Sequence, residues 1–404
     1  MTTPVARIDL AALRHNLNRV REVATGCRVI AAIKANAYGH GLMQIARILS
    51  DADALAVARV EEALQLRNEG FDGRIMVLEG FNSLPELILC RDSELDLVIH
   101  DRSQLRLLEQ LPDGQLPLRV WVKIDTGMHR IGIQTDEARS VISQLDQMGD
   151  VTLVGIMTHF ANADDRKSDY TTWQLENFTP FIDPSLEVSM ANSAGILGWP
   201  ESRKGWVRPG IMLYGTSPFS DSMASEEGLE PVMTLRTRLI AVRQLHEGDT
   251  IGYGSTFTCP EDMPVGVAAI GYGDGYPRHA PNGTPVLVNG QRAELAGRVS
   301  MDMITIDLRG IDNPRVGDQV VLWGQGLPAE EIAQAAGTIT YDVATTNMDD
   351  YEATDYGTDA AVMETFERNG GADKNGYMTY VYQFKATKSM FVRLRGTNMP
   401  AGVP

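Results

Sequence analysis

The sequence predicts an α/β protein: a (β/α)8 barrel of the TIM type over residues 1–228, an all-β domain over 229–342 and a short β-rich appendage over 343–404. Three observations carry this. Eight short β-rich runs alternate with amphipathic segments through the first half. From about Leu229 the helical patterns stop, and strand-like runs alternate with Gly-, Pro- and Asp-rich turns. After Asp342 the character of the chain changes again.

The eight runs are Arg28–Ile33, Ala54–Val60, Arg74–Leu78, Leu95–His100, Leu118–Ile124, Leu153–Met157, Glu187–Met190 and Trp206–Leu213. Segments such as EEALQLRNEG and SQLRLLEQL lie between them with apolar residues at helical spacing, which is the alternation of βα units on a parallel sheet. In a barrel of this kind chemistry gathers at the C-terminal strand ends. Lys34, Asp125, His159, Asn192 and Arg208 stand at or near such ends. The second domain is carried by MTLRTRLIAVRQL, VGVAAIGYG, TPVLVNG, MITIDL and QVVLWG. The appendage begins as an acidic linker, and its YMTYVYQF and MFVRLRG alternate like strands of a small sheet.

At 404 residues and 43% hydrophobic content the chain can fill a large core. Its net charge of −17 argues against the basic surface a nucleic-acid partner needs and favours a small-molecule enzyme. The stretch MTTPVARIDLAALRHNL turns amphipathic within ten residues and offers neither a signal peptide nor a membrane span, so the expected location is the cytoplasm. Cys27, Cys90 and Cys259 are isolated, which leaves no disulfide framework and no metal spacing, and they read as core residues.

The most informative stretch is VIAAIKANAYGHG, in which a hydrophobic strand runs into Lys34 and then a polar, glycine-containing turn. A primary amine there can condense with a carbonyl cofactor. K-A-N-A-Y-G-H-G resembles the cofactor-lysine signature of alanine racemases, pyridoxal-phosphate enzymes built on a (β/α)8 barrel and a second β domain. The K-A-N core also resembles ornithine and diaminopimelate decarboxylases. Further motifs in the racemase order extend the resemblance over roughly residues 5–342 and leave 343–404 unmatched.

The resemblance implies a residue for each handle of the cofactor. Lys34 takes the aldehyde. The hydroxyls of Tyr38, Ser193 and Tyr341 and the amides of Gly210 and Ile211 meet the phosphate, with Asn192 and Ser193 capping a following helix. V-R-P-G-I-M-L-Y-G places Arg208 at the ring nitrogen. Arginine can only donate, so that nitrogen stays unprotonated and the ring is a weaker electron sink, which favours racemisation over the decarboxylase chemistry of relatives with an acid there.

Racemisation needs two acid–base groups flanking Cα. The resemblance supplies Lys34 and, from I-G-Y-G-S-T-F-T, Tyr253; His159 in M-T-H-F-A would link Tyr253 to Arg208. A tyrosine pKa of about 10 must be lowered by its neighbours for this work. K-I-D-T-G-M-H-R-I-G assigns Arg130 to the substrate carboxylate and Lys123 to a possible carbamylated lysine, and S-M-D-M adds the amide of Met301. Tyr272 narrows the entrance, with Asp164, Arg278, Arg298 and Ile339 outside it. G-Y-G-D-G-Y-P-R lacks the spacing and following helix of a nucleotide loop.

The implied activity is interconversion of L- and D-alanine, for cell-wall supply or alanine catabolism, in a head-to-tail homodimer whose sites take Lys34 from one subunit and Tyr253 from the other. A racemase of broader specificity and a non-catalytic pyridoxal-phosphate-binding protein are the alternatives.

Overall fold

The computed structural model describes residues 4–111, 117–340 and 343, and the backbone of 351–354 and 364–365. Strands Arg28–Ala32, Ala54–Val57, Ile75–Val77, Asp96–Ile99, Leu118–Asp125, Val151–Met157, Glu187–Ser189 and Trp206–Val207 lie parallel in this spatial order. Trp206 pairs with Arg28, which closes the barrel. Alternation along the strands sorts two apolar faces. Ile30, Ala54, Ala56, Met76, Val98, Trp121, Met157 and Trp206 form a cluster of their own. Their strand neighbours Val29, Ala31, Leu55 and Val57 pack instead with helix residues such as Leu17, Ile45 and Leu66. The smaller cluster therefore fills the barrel interior.

All eight predicted strands are present, but the last is cut short. Strand pairing ends at Val207, and Ile211–Tyr214 forms a 3-10 turn rather than strand. Pro209 has no N–H to give to a ladder, and this break leaves Arg208 at the barrel mouth.

In the second domain six strands close on themselves: Met233–Leu245, Met263–Ala268, Ile304–Asp307, Gln291–Leu295, Pro285–Val288 and Gln319–Trp323. The expectation that helices stop at Leu229 needs correction, because Ala329–Ala336 is a helix. Its buried residues Ala329, Ile332, Ala333 and Ala336 recur at helical spacing, so it lays one apolar stripe on the sheet. Val5–Asp9, placed with the barrel by the sequence reading, pairs antiparallel with Met233–Leu245 and belongs to this second sheet.

Tyr351–Thr354 runs parallel to Val5–Asp9 and extends the sheet, with Glu364–Thr365 paired antiparallel to it at the edge. YMTYVYQF and MFVRLRG lie outside the described residues. A chain ending at Thr354 should keep its unfolding temperature and activity, whereas one ending at Asp342 loses the strand beside Val5–Asp9 and should unfold several degrees earlier by calorimetry. Equal midpoints for the two truncations would show that this strand adds nothing. Among the described residues no helix is long and apolar enough to cross a membrane.

Candidate active site

Strand Arg28–Ala32 delivers Lys34 to the C-terminal end of the barrel, and there the backbone reverses hand. Ala35, Asn36, Ala37 and Tyr38 have φ of 55°, 53°, 53° and 56°, one turn of left-handed helix without a glycine. Each such residue costs about 1–2 kcal/mol. Local bonds oppose that cost. Ala37 N donates to Ile33 O at 2.8 Å, Gly41 N to Asn36 O at 3.1 Å and Leu42 N to the Asn36 side chain at 2.8 Å. His40 Nδ1 donates to the Tyr38 carbonyl at 2.9 Å, and burial of this imidazole takes its pKa down to about 4, so it is neutral. The Tyr38 ring stacks on Tyr214 with centroids 4.6 Å apart, and the Tyr214 hydroxyl donates to Ala32 O at 3.0 Å.

The turn carries the Tyr38 hydroxyl to Gly210. A Cβ at that glycine would lie 2.4 Å from the hydroxyl oxygen, so only glycine admits the contact. Ser193 Oγ accepts from Gly210 N at 2.9 Å and from Met212 N at 3.3 Å. Asn192 caps Ser193–Gly198 as expected, its side-chain oxygen accepting from Gly195 N at 2.9 Å. Tyr38, Asn192, Ser193, Gly210 and Ile211 are thus gathered by three loops. Tyr341 lies outside the described residues.

Across the mouth, Arg208 is buried and its guanidinium is fixed on three acceptors. Nη1 donates to Ser189 Oγ at 2.7 Å, and Nη2 donates to the carbonyls of Thr158 and, at 3.3 Å, Met190. Burial draws its pKa down to about 10, which leaves it charged at neutral pH. His159 follows strand Val151–Met157, its carbonyl accepting from Gln174 Nε2 at 3.2 Å. Burial, and then the charges of Arg208, Lys123, Arg130 and Lys34, hold its imidazole neutral, well below the ordinary histidine range. Lys123 is drawn down to about 7 by burial and by Arg208, Arg130 and Lys34, with Asp125 opposing.

Asp125 shapes the loop that presents Arg130. Burial works against its charge, but the amides of His129 and Gly127, which donate to Oδ1 at 3.0 Å each, outweigh it and hold the carboxyl low. The charges of Lys34, Arg130 and Arg208 all act on Lys123, and with Lys123 itself on His159, so these cations give this end of the barrel a positive character suited to an anionic ligand.

The second domain presents a separate group. Tyr272 N donates to Ser300 O at 3.0 Å and Gly273 N to Met301 O at 2.8 Å, which ties the Tyr272 turn to the Met301 loop. The Arg278 guanidinium lies 5.4 Å from the Tyr272 ring centre. Gly252, beside Tyr253, backs onto Arg298, where a Cβ would stand 3.3 Å from the Arg298 amide. Tyr253 is 71% exposed and Ile339 64%, and Asp164 is exposed too. Tyr253 is thus not packed into the barrel mouth of its own chain.

The family profile for the N-terminal domain of alanine racemase matches residues 8–218, and that for the C-terminal domain matches 232–354. The chain belongs to the alanine racemase family. Alanine racemases of Aeromonas hydrophila and Nitrosococcus oceani are 50% and 51% identical to it over 85% of its length, and over 97% and 96% of theirs. The crystal structure of the biosynthetic alanine racemase of Pseudomonas aeruginosa superimposes with a TM-score of 0.84 at 42% identity, covering 86% of this chain and 98% of that one. The structure of alanine racemase from Acinetobacter baumannii gives 0.81 at 36% identity, covering 87% of this chain and 99% of that one. The C-terminal profile runs on to residue 354, past the limit at 342 set by the sequence reading, and so takes in the strand Tyr351–Thr354.

Members of this family are pyridoxal-phosphate-dependent racemases, and the residues here fit that cofactor. The cradle sets the hydroxyls of Tyr38 and Ser193 beside the Gly210 amide, which here donates to Ser193 Oγ and would be shared with a phosphate, and Lys34 and Arg208 stand on neighbouring strand ends. The sequence reading missed four residues of the site: Ser189 and Thr158, which fix Arg208; Tyr214, beneath Tyr38; and Glu62, a buried carboxylate bonded to the amide of Ala35 at 2.7 Å. Glu62 alone carried a signal, since it lies on the apolar face of its helix with Ala63 and Leu66.

Proposed function

We propose that the chain interconverts L- and D-alanine as a cytoplasmic homodimer supplying D-alanine for cell wall, with pyridoxal phosphate on Lys34. The observation that carries this is Arg208, whose guanidinium is buried and held by three acceptors at the barrel mouth. Bound on Lys34, the cofactor supplies the electron sink that acidifies the substrate Cα. The chain's own residues do the rest. Tyr38, Ser193 and the amides of Gly210 and Ile211 hold the phosphate, and Tyr341 completes that set. Arg208 would face the ring nitrogen and, as a group that can only donate, would leave it unprotonated, so the cofactor would supply a weaker electron sink suited to racemisation. The Lys34 amine takes or gives a proton on one face of Cα, and the Tyr253 hydroxyl of the partner subunit does so on the other.

His159, neutral beside Arg208, links that arginine to the arriving tyrosine. Arg130 and the Met301 amide take the substrate carboxylate, while Tyr272 closes on the side chain and keeps the space small enough for alanine. Asp164, Arg278, Arg298 and Ile339 line the way in. Purified protein given L-alanine should yield equal L- and D-alanine only when pyridoxal phosphate is bound, and other L-amino acids should react far more slowly. Release of carbon dioxide, or equal rates on larger substrates, would overturn the reading.

Lys123 is proposed as a carbamate. Its amine, near pKa 7, is the reactive neutral form above that value and protonated below it, so at fixed dissolved carbon dioxide carbamylation should rise with pH through 7. The carbamate turns a fourth cation into an anion that pairs with Arg130. A carbon-13 carbamate resonance should appear at pH 8 and vanish in Lys123→Met; its persistence in that variant would place the modification elsewhere.

A further inference from the structure

We propose that Glu62 is a positioning residue that keeps the left-handed turn wound and so holds Lys34 and Tyr38 in register for the cofactor. This rests on the reading that Lys34 carries pyridoxal phosphate. Glu62 is 7% exposed and is the third residue of helix Val60–Asn68. Its Oε2 accepts from Ala58 N at 2.9 Å and Arg59 N at 3.2 Å, the junction of its own strand and helix. Its Oε1 reaches the loop after the neighbouring strand and accepts from Ala35 N at 2.7 Å. Ala35 follows Lys34 and is the first residue with positive φ. One carboxylate therefore fixes the point where the chain changes hand.

Another βα unit of the barrel, two strands along, shows why the residue is a carboxylate. Gln104 is the third residue of helix Arg102–Leu108 and makes the same reach. Its Oε1 accepts from His100 N at 2.8 Å and Asp101 N at 3.1 Å, and its Nε2 donates to Phe81 O at 3.1 Å, in the loop after the adjacent strand. Where the loop offers a carbonyl, an amide fits. Where it offers the Ala35 N–H, only an acceptor on both arms fits. Glu62→Gln keeps the shape but turns an NH2 towards the Ala35 N–H, leaving that donor unpaired at the left-handed turn.

The test titrates full-length protein, stripped of cofactor, with pyridoxal phosphate and with pyridoxal, which lacks the phosphate that Tyr38 meets. Glu62→Gln should weaken pyridoxal phosphate at least about tenfold and narrow its advantage over pyridoxal. Gln104→Glu, which sets a carboxylate against Phe81 O, should lower the unfolding temperature yet leave both affinities within about twofold. Glycine adopts left-handed backbone freely, so Ala35→Gly added to Glu62→Gln should restore most of the lost affinity. If Glu62→Gln is too unstable to purify, that double variant decides. Folding and cofactor binding by it support the proposal, and failure to fold makes Glu62 a scaffold residue only. Unchanged affinities in Glu62→Gln, or no restoration by Ala35→Gly, overturn the proposal. A wild type that does not hold pyridoxal phosphate on Lys34 strikes the proposed function itself, and this inference falls with it.

Discussion

Lys34→Ala and Tyr253→Ala, each alone, should lose at least about a thousandfold in alanine racemisation, because each removes one of the two acid–base groups from both sites of the dimer. Mixed as heterodimers they should recover. One site then lacks both residues, and the other joins the intact Lys34 of one chain to the intact Tyr253 of its partner, so about half the wild-type rate returns if the sites act independently. The structure motivates this arrangement: Tyr253 is 71% exposed in its own chain, and Met301, Met303 and Ile339 are exposed apolar residues of the same domain. Exposed apolar residues of this kind are suited to contact with a second copy. Verified heterodimers that stay inactive would place both groups in one chain.

Arg208→Glu should cost roughly 10²–10³-fold in racemisation, the scale of losing one preorganised charged contact. The carboxyl can pass its proton to the ring nitrogen, which deepens the electron sink, so a new long-wavelength absorption band should appear on adding alanine. Part of the loss will be local repacking, since Ser189 Oγ and the carbonyls of Thr158 and Met190 were set for a donor and now face an acceptor. Arg208→Lys separates the two effects. It keeps a donor and the positive charge, but a single ammonium cannot reproduce the fixed fork, so it should lose activity without the new band. Normal racemisation by Arg208→Glu, with no spectral change, would remove Arg208 from the ring.

What could be read from the sequence was what is local in sequence. Each barrel strand is a short run of apolar residues, such as RVIAA or DLVI, and the polar residues closing them are Lys34, Asp125, His159, Asn192 and Arg208. Where a neighbour distant in the chain decides, the reading failed. VARID alternates well enough for either sheet, and only its pairing with Arg236 and the residues before it assigns Val5–Asp9 to the second. The left-handed turn gave no sign, since Ala35, Asn36, Ala37 and Tyr38 include no glycine and the carboxylate that holds its first amide is Glu62. Two of the acceptors of Arg208 are backbone carbonyls, which any sequence supplies. AEEIAQAA does show helical spacing, but over only two turns between strand-rich segments.

Every role proposed for the site depends on pyridoxal phosphate being held on Lys34. Lys123 is a specific rival, because it feels the charge of Lys34 and, with a pKa of about 7, offers a second reactive amine. Borohydride reduction of the cofactor-loaded protein, followed by peptide mass spectrometry, decides between them. The pyridoxyl group should be found on the peptide containing Lys34, with racemisation lost in proportion to labelling. Labelling of Lys123, or of any other lysine, would contradict the account.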